Sequence, residues 1–173
     1  MHPLAAVQIE YSPWALEIES ETTNVLSTCK ELGIAIVAYS PLGRGFLTGS
    51  IKSADDVKGD WRAMMPRFLP ENFSKNLDLV NKITAIADKK GVSSGQLVLA
   101  WLLRQWEGVI PIPGTRSIDR VKENVGAMEV VLSDEEDKEI RDACNSAELA
   151  GGRYPQMLEY MQIGETPELE VEA

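Results

Sequence analysis

The stretch from Gly33 to Gly49, Gly-Ile-Ala-Ile-Val-Ala-Tyr-Ser-Pro-Leu-Gly-Arg-Gly-Phe-Leu-Thr-Gly, constrains the fold more than any other part of the chain. Ile34 to Ala38 is an apolar run with β-branched residues and no alternation, the pattern of a strand buried on both faces of a parallel sheet. The run then changes to Tyr39, Ser40 and Pro41, followed by Gly43, Gly45 and Gly49. The strand therefore ends by presenting an aromatic ring, a hydroxyl and permissive backbone at one spot, and in α/β folds ligands bind at such strand ends. The glycines do not form a dinucleotide-binding G-x-G-x-x-G fingerprint. Gly49 comes one residue too late, and Pro41 sits where that motif would run into a helix. A glycine-rich surface turn without a ligand is the alternative reading of these residues.

At 173 residues, 44% hydrophobic and 25% charged, the chain can build one domain with a real core. Its net charge of −10 argues against a nucleic-acid surface, which needs a basic face, while leaving room for a local anion site. Cys29 and Cys144 lie far apart without companion histidines, so reduced structural thiols are expected and no metal site is indicated. The first residues carry no secretory pattern and no run reaches membrane-spanning length; the expectation is no membrane and a cytoplasmic location.

Along the chain, Ala5 to Glu10 reads as a short strand ending in Tyr11-Ser12-Pro13. Glu17 to Leu32 reads as a helix, acidic at its start, with Lys30 near its end and Gly33 as terminator. With the strand at Ile34 they make a βαβ unit. Residues from about Ser50 to Asn72 lack periodicity, and a loop of that length after a strand reads as a lid, with Trp61, Met64 and Phe68 as pocket lining. Satellite packing explains those three side chains equally well. Phe73, Leu77, Val80, Ile83 and Ala87 recur at helical spacing up to Lys89-Lys90-Gly91. Ser93 and Gln96 form a capping box for a helix that is apolar nearly all round, so it should lie between other elements with Trp101 in the core.

Val109 to Pro113 is a third short apolar run, leading into Gly114-Thr115-Arg116-Ser117-Ile118-Asp119-Arg120. Ser117 is a natural N-cap for a helix carrying Ile118, Val121, Val125 and Met128. Arg116 and Arg120 flank that helix start, where cations oppose the dipole. The arrangement makes physical sense if an anion is held there by backbone N–H groups, hydroxyls and guanidinium groups. A pairing of Arg120 with Glu123 is the alternative. A last capped helix begins at Ser133 with Glu136, and Tyr154 to Met161 forms an apolar cluster. Residues 1–162 are expected to form the folded unit, with 163–173 an acidic, disordered tail.

Familiar catalytic arrangements are missing. His2 is the sole histidine, so a Ser/His/Asp triad would rest on a residue expected to fray, and no tyrosine has a lysine four residues on. No catalytic residue and no metal ligand is assigned. What remains is a set of binding features at strand ends: Gln8, Tyr39-Ser40 and Gly114 to Arg120.

These residues resemble the aldo-keto reductases, specifically the branch with plant auxin-induced-type and fungal reductases that is related to the potassium-channel β subunits. The matching stretches are Val7-Gln8-Ile9-Glu10-Tyr11-Ser12, Ala38 through Gly49, and Ile112-Pro113-Gly114-Thr115-Arg116 followed by Arg120 and Glu123-Asn124. The resemblance runs from about His2 to Met161. It implies a (β/α)8 TIM barrel that binds NADPH across its C-terminal face and reduces small aldehydes or ketones. On the matching positions it gives Gln8 the nicotinamide carboxamide and Tyr39 the nicotinamide ring. Ser40, Pro41, Leu42 and Arg44 would line the pyrophosphate. Gly114, Thr115, Arg116 and Arg120 would hold the 2′-phosphate, and Glu123 with Asn124 the adenine edge. A related branch has lysine at the position of Gly114, so charge recognition here rests on the arginines.

The family's catalytic aspartate, tyrosine, lysine and histidine all precede the strand that begins this sequence. By the resemblance the chain is therefore an α/β segment, the C-terminal part of the barrel with about strands six to eight and their helices. A full barrel takes ~250 residues. The chain alone is expected to be inactive and to need the N-terminal half-barrel or self-association. The alternative is a non-catalytic NADPH-binding or regulatory half-barrel that pairs with another chain.

Overall fold

The computed structural model describes residues 2–161; the expected tail at 163–173 lies outside the described residues. Three parallel strands, β1 (Ala6–Glu10), β2 (Ala35–Tyr39) and β3 (Val109–Pro111), form one open sheet in the order β1-β2-β3. The register sets Gln8 beside Val37, Glu10 beside Tyr39 and Ile110 beside Val37. Because side chains alternate along a strand, these five residues share one face. Ile36, Ala38 and Val109 occupy the other and are buried against the helices.

The burial expected on both faces of Ile34 to Ala38 is corrected here. Ile36 and Ala38 are fully buried, but Ala35, Val37 and Tyr39 are only half-buried and Ile110 is 50% exposed. The apolar run suits a strand covered on two sides; on the second side the described residues cover only the strand ends, where Arg44, Arg153 and Tyr154 meet Glu10 and Tyr39, and leave Gln8 and Ile110 exposed.

The helix expected over Glu17 to Leu32 is split into a 3-10 turn, Glu17–Glu19, and α1 (Val25–Leu32). The Ser20 and Thr23 hydroxyls both donate to the Glu17 carbonyl, at 2.9 and 2.6 Å, occupying an acceptor that a continuous helix would use. The lid region is likewise not structureless. It folds into turns at Ala54–Val57, Trp61–Met64 and Pro66–Phe68, the first closed by a reciprocal cap between Ser53 and Asp56.

Helix α2 (Pro70–Lys90) starts earlier than the apolar spacing indicates, with Pro70 in its first turn, and stops at Gly91. Helix α3 (Ser94–Gln105) carries the expected Ser93/Gln96 box and buries Leu97 through Leu102, with Trp101 fully enclosed. Helix α5 (Asp134–Asn145) packs on α2, and Lys90 and Lys89 bridge to Glu136 and Glu139 at 2.7 and 2.8 Å. Below the strand ends, Trp14 stacks on Phe46 at 4.6 Å while Phe68 and Phe73 meet Phe46 edge-on.

Helix α4 (Ile118–Gly126) is the exception to this packing. Its Ile118, Val121 and Val125 form an apolar stripe, yet no residue of the helix is buried. Cys29 and Cys144 are both free and buried, and burial raises the Cys144 thiol to about 12. Among the described residues no helix is long and apolar enough to cross a membrane, and no cluster of metal-ligating side chains occurs.

Candidate functional site

The chain leaving β2 and the chain leaving β3 open onto one cleft of about 580 Å³. Ser40, Pro41, Leu42 and Arg44 line it from the β2 side, Gly114, Thr115 and Arg116 from the β3 side, and Arg120, Glu123 and Asn124 from the first two turns of α4. Gln8 and Tyr39 do not line this cleft. They lie on the open face of the sheet, Gln8 exposed and Tyr39 half-buried at the end of β2.

The β2 side is built by a run of left-handed backbone: Ser40, Gly43, Arg44 and Gly45 have φ of 49°, 56°, 59° and 92°. Gly43 donates to the Ser40 carbonyl at 2.9 Å and Gly45 to the Leu42 carbonyl at 3.0 Å. A Cβ on Gly43 would stand 2.8 Å from the Trp14 ring, so this position admits only glycine without rearrangement. Arg44 has a Cβ and still adopts the left-handed region, at a cost of about 1–2 kcal/mol. Its guanidinium is correspondingly well held. It donates to the Arg153 carbonyl at 3.1 Å, lies 3.7 Å from Glu10 Oε2, and sits between the Tyr154 and Trp61 rings at 5.0 and 5.4 Å.

On the other side, the Ser117 hydroxyl caps α4 by accepting from the Arg120 N–H at 3.4 Å, and Thr115 Oγ1 accepts from the Ser117 N–H at 3.1 Å. Arg116 and Arg120 are exposed, and among the described residues neither pairs with a carboxylate. The alternative Arg120–Glu123 pair is not formed; Glu123 instead accepts the Ser93 hydroxyl at 2.6 Å. In a chain of net charge −10, four arginines and two acidic residues line this cleft; Arg44 and Arg62 are held by protein partners, which leaves Arg116 and Arg120 without a carboxylate among the described residues.

Several lining residues went unrecognised in the sequence. Arg62 donates to both Asp60 oxygens and, at 2.9 Å, to the Arg44 carbonyl, so it fastens the 53–64 segment to the β2 turn. The same bonds hold the Asp60 carboxyl below its usual range. The readable signal was Asp60 two residues before Arg62, which caps the turn by accepting the Arg62 N–H at 2.8 Å. Gly95 lines the cleft from the first turn of α3, and a glycine inside a strong helix pattern is a recognisable mark of close approach. Of the three residues expected on the lid, Trp61 lines the cleft, Met64 points to solvent with 67% exposure, and Phe68 is core. Tyr39 is pushed up to about 12 by burial, the neighbouring Tyr154 hydroxyl and the Glu10 carboxylate, so its phenol stays protonated across the physiological range.

The sequence profile of the Aldo/keto reductase family matches residues 1–145. The chain belongs to the aldo/keto reductase family. It is 53% identical over 156 residues to a Schizosaccharomyces pombe protein named aldo-keto reductase yakc (NADP(+)), covering 90% of this chain and 46% of that protein. Aldo-keto reductase str7 of Strobilurus tenacellus is 46% identical over 158 residues, covering 91% of this chain and 47% of that one. Among solved structures, a glycerol dehydrogenase from Gluconobacter oxydans superposes with a TM-score of 0.74 at 29% identity, over 85% of this chain and 44% of its own. The chain spans about half the length of the curated relatives it matches. Its open three-stranded sheet is a partial α/β segment of the TIM-barrel architecture of this family.

Proposed function

We propose that this chain carries the cofactor-binding half of an NADPH-dependent oxidoreductase that reduces small aldehydes or ketones to alcohols. The observation that carries the reading is the meeting, in one cleft, of the left-handed turn after β2 with two carboxylate-free guanidinium groups at a hydroxyl-capped helix start. That donor set fits the group: a phosphate monoester needs charge-assisted donors around an N–H-rich helix end, and Thr115, Arg116 and Arg120 supply them. When bound, NADPH supplies the hydride.

The roles of this chain's own residues follow from that fit. Arg116 and Arg120, with Gly114 and Thr115, hold the 2′-phosphate, and Glu123 and Asn124 meet the adenine edge. Ser40, Pro41, Leu42 and Arg44 offer a close backbone approach to the pyrophosphate. Gln8 and Tyr39, on one face of the sheet, orient the nicotinamide, Gln8 through its amide and Tyr39 through a ring that burial keeps uncharged. No residue assigned here supplies a proton to the developing alkoxide, so the acid and its supporting groups come from a complementary segment of the barrel. The cytoplasm is the proposed location.

The uncovered face of Ile110 and the bare apolar stripe of α4 support a second reading, a non-catalytic NADPH-binding half-barrel that pairs with another chain. One experiment tests both. NADPH binding and aldehyde reduction are measured on the 173-residue chain and on a fusion to the N-terminal half of the S. pombe relative. Binding with turnover only in the fusion supports the enzyme. Binding without turnover in either form favours the second reading, and no binding in either form rejects both.

A further inference from the structure

We infer that Arg153, together with Tyr154, is a positioning element of the cofactor site: it holds Arg44, and through Arg44 it sets the Gly43–Gly45 turn that would receive the pyrophosphate. The inference rests on the cofactor reading above and adds to it a segment which that reading does not use.

The Arg44 side chain is 9% exposed and turned towards residues 153 and 154, more than a hundred positions away in sequence. Its guanidinium donates to the Arg153 carbonyl and lies over the Tyr154 ring. The Arg153 side chain, 8% exposed, reaches past it to Glu10, which is 4% exposed, with Nε 3.2 Å from Oε2, and to Glu17, with Nη2 2.6 Å from Oε2. Glu10 is thus shared by Arg153 and Arg44 at the end of β1, next to Tyr39. Removing Arg153 leaves a buried carboxylate short of its nearest cation, which a folded protein relieves by moving the remaining partner or admitting water.

The remaining partner is Arg44, whose left-handed backbone is sustained by the contacts of its side chain. Drawn towards the Glu10 carboxylate that Arg153 no longer pairs, the Arg44 guanidinium leaves the residue-153 carbonyl and the Tyr154 ring, and the backbone of Arg44 relaxes together with Gly43 and Gly45. The turn is then no longer preorganised, and binding must order it. The diphosphate is common to NADPH and NADH, so the loss falls on both cofactors equally. Loss of Arg116, by contrast, falls on the phosphorylated cofactor alone.

The test measures NADPH and NADH dissociation constants by tryptophan fluorescence on the fusion described above. The variants are Arg153→Ala, Arg153→Lys, Tyr154→Ala, Arg44→Ala, the Arg44→Ala/Arg153→Ala pair and Arg116→Ala. Arg153→Ala should weaken both cofactors by about tenfold, the effect of having to order the turn on binding. The double variant should lose no more than Arg44→Ala, and Arg153→Lys should recover part of the loss. A lowered melting temperature with unchanged dissociation constants, or additive losses in the double variant, would overturn the inference. If Arg153→Ala does not fold, unchanged affinity in both Arg153→Lys and Tyr154→Ala overturns it. A parent fusion that does not bind NADPH, or an Arg116→Ala variant that loses both cofactors alike, rejects the cofactor reading and this inference with it. Intact binding with intact Arg116 selectivity, alongside inert Arg153 variants, rejects this inference alone.

Discussion

Replacing Arg116 by alanine should remove preference for the phosphorylated cofactor while leaving the rest of the site in place. Arg116 follows β3 on exposed backbone and makes no ion pair among the described residues, so its loss creates no cavity and strands no buried partner. A hydrogen bond to a charged group contributes about 1.5–3 kcal/mol. At about 1.4 kcal/mol per factor of ten, that corresponds to roughly 10–150-fold in affinity. Exposure places Arg116 near the lower limit, since the Debye length is about 8 Å at physiological ionic strength. The expected outcome is a loss of about tenfold for NADPH and little change for NADH, measured by fluorescence titration of the fusion. The NADPH loss should shrink as salt is raised. Equal losses for both cofactors, or a loss indifferent to salt, would refute the assignment of Arg116 to the 2′-phosphate.

Tyr39→Ala should reduce hydride transfer in single-turnover experiments more than it reduces cofactor affinity, because the ring orients one end of a ligand anchored at the other; unaltered transfer would make Tyr39 a packing residue. Gly43→Ala should lower the melting temperature by roughly 3–10 °C, from about 1–3 kcal/mol of clash with Trp14, whereas Gly114→Ala, with nothing within 4 Å of the added carbon, should leave it unchanged. Lys90 and the Ser133 N–H hold Glu136 below its ordinary value of 4.5. The stability that Glu136 contributes is therefore present above about that pH and is lost as pH falls through the lower value of the folded state. Acid unfolding followed by circular dichroism should show this loss, and Glu136→Gln should remove it.

The parts of the fold that were legible in the sequence are those fixed by local chemistry. Gly33 and Gly91 end their helices, and Ser93, Ser117 and Ser133 begin theirs, because cap geometry depends on residues only a few positions apart. The break between Glu17 and Val25 was hidden because it depends on two hydroxyls competing for one carbonyl, a choice that charge patterning does not register. Burial on one face of β2 was misread because an apolar run reports what a strand can tolerate and not what lies opposite it. In the site, the residues just after β2 and β3 and at the start of α4 were found by strand-end reasoning and family resemblance, and the cleft brings them together. Arg62 and Arg153 were missed. Asp60 marks Arg62 locally as a turn residue, but the bond from Arg62 to the Arg44 carbonyl and the pairing of Arg153 with Glu10 join positions that no spacing rule connects.

The most direct measurement is NADPH consumption with an aldehyde by the purified 173-residue chain and by its fusion to the N-terminal half of the S. pombe relative. Alone, the chain has Ile110, Ile118 and Val125 exposed and no assigned proton donor. It should associate on size-exclusion chromatography and show no turnover. The fusion should be monomeric, bind NADPH in preference to NADH and reduce the aldehyde. A monodisperse 173-residue chain that reduces an aldehyde by itself, or a folded fusion that binds neither cofactor, would contradict the assignment of this chain to the cofactor-binding half of the enzyme.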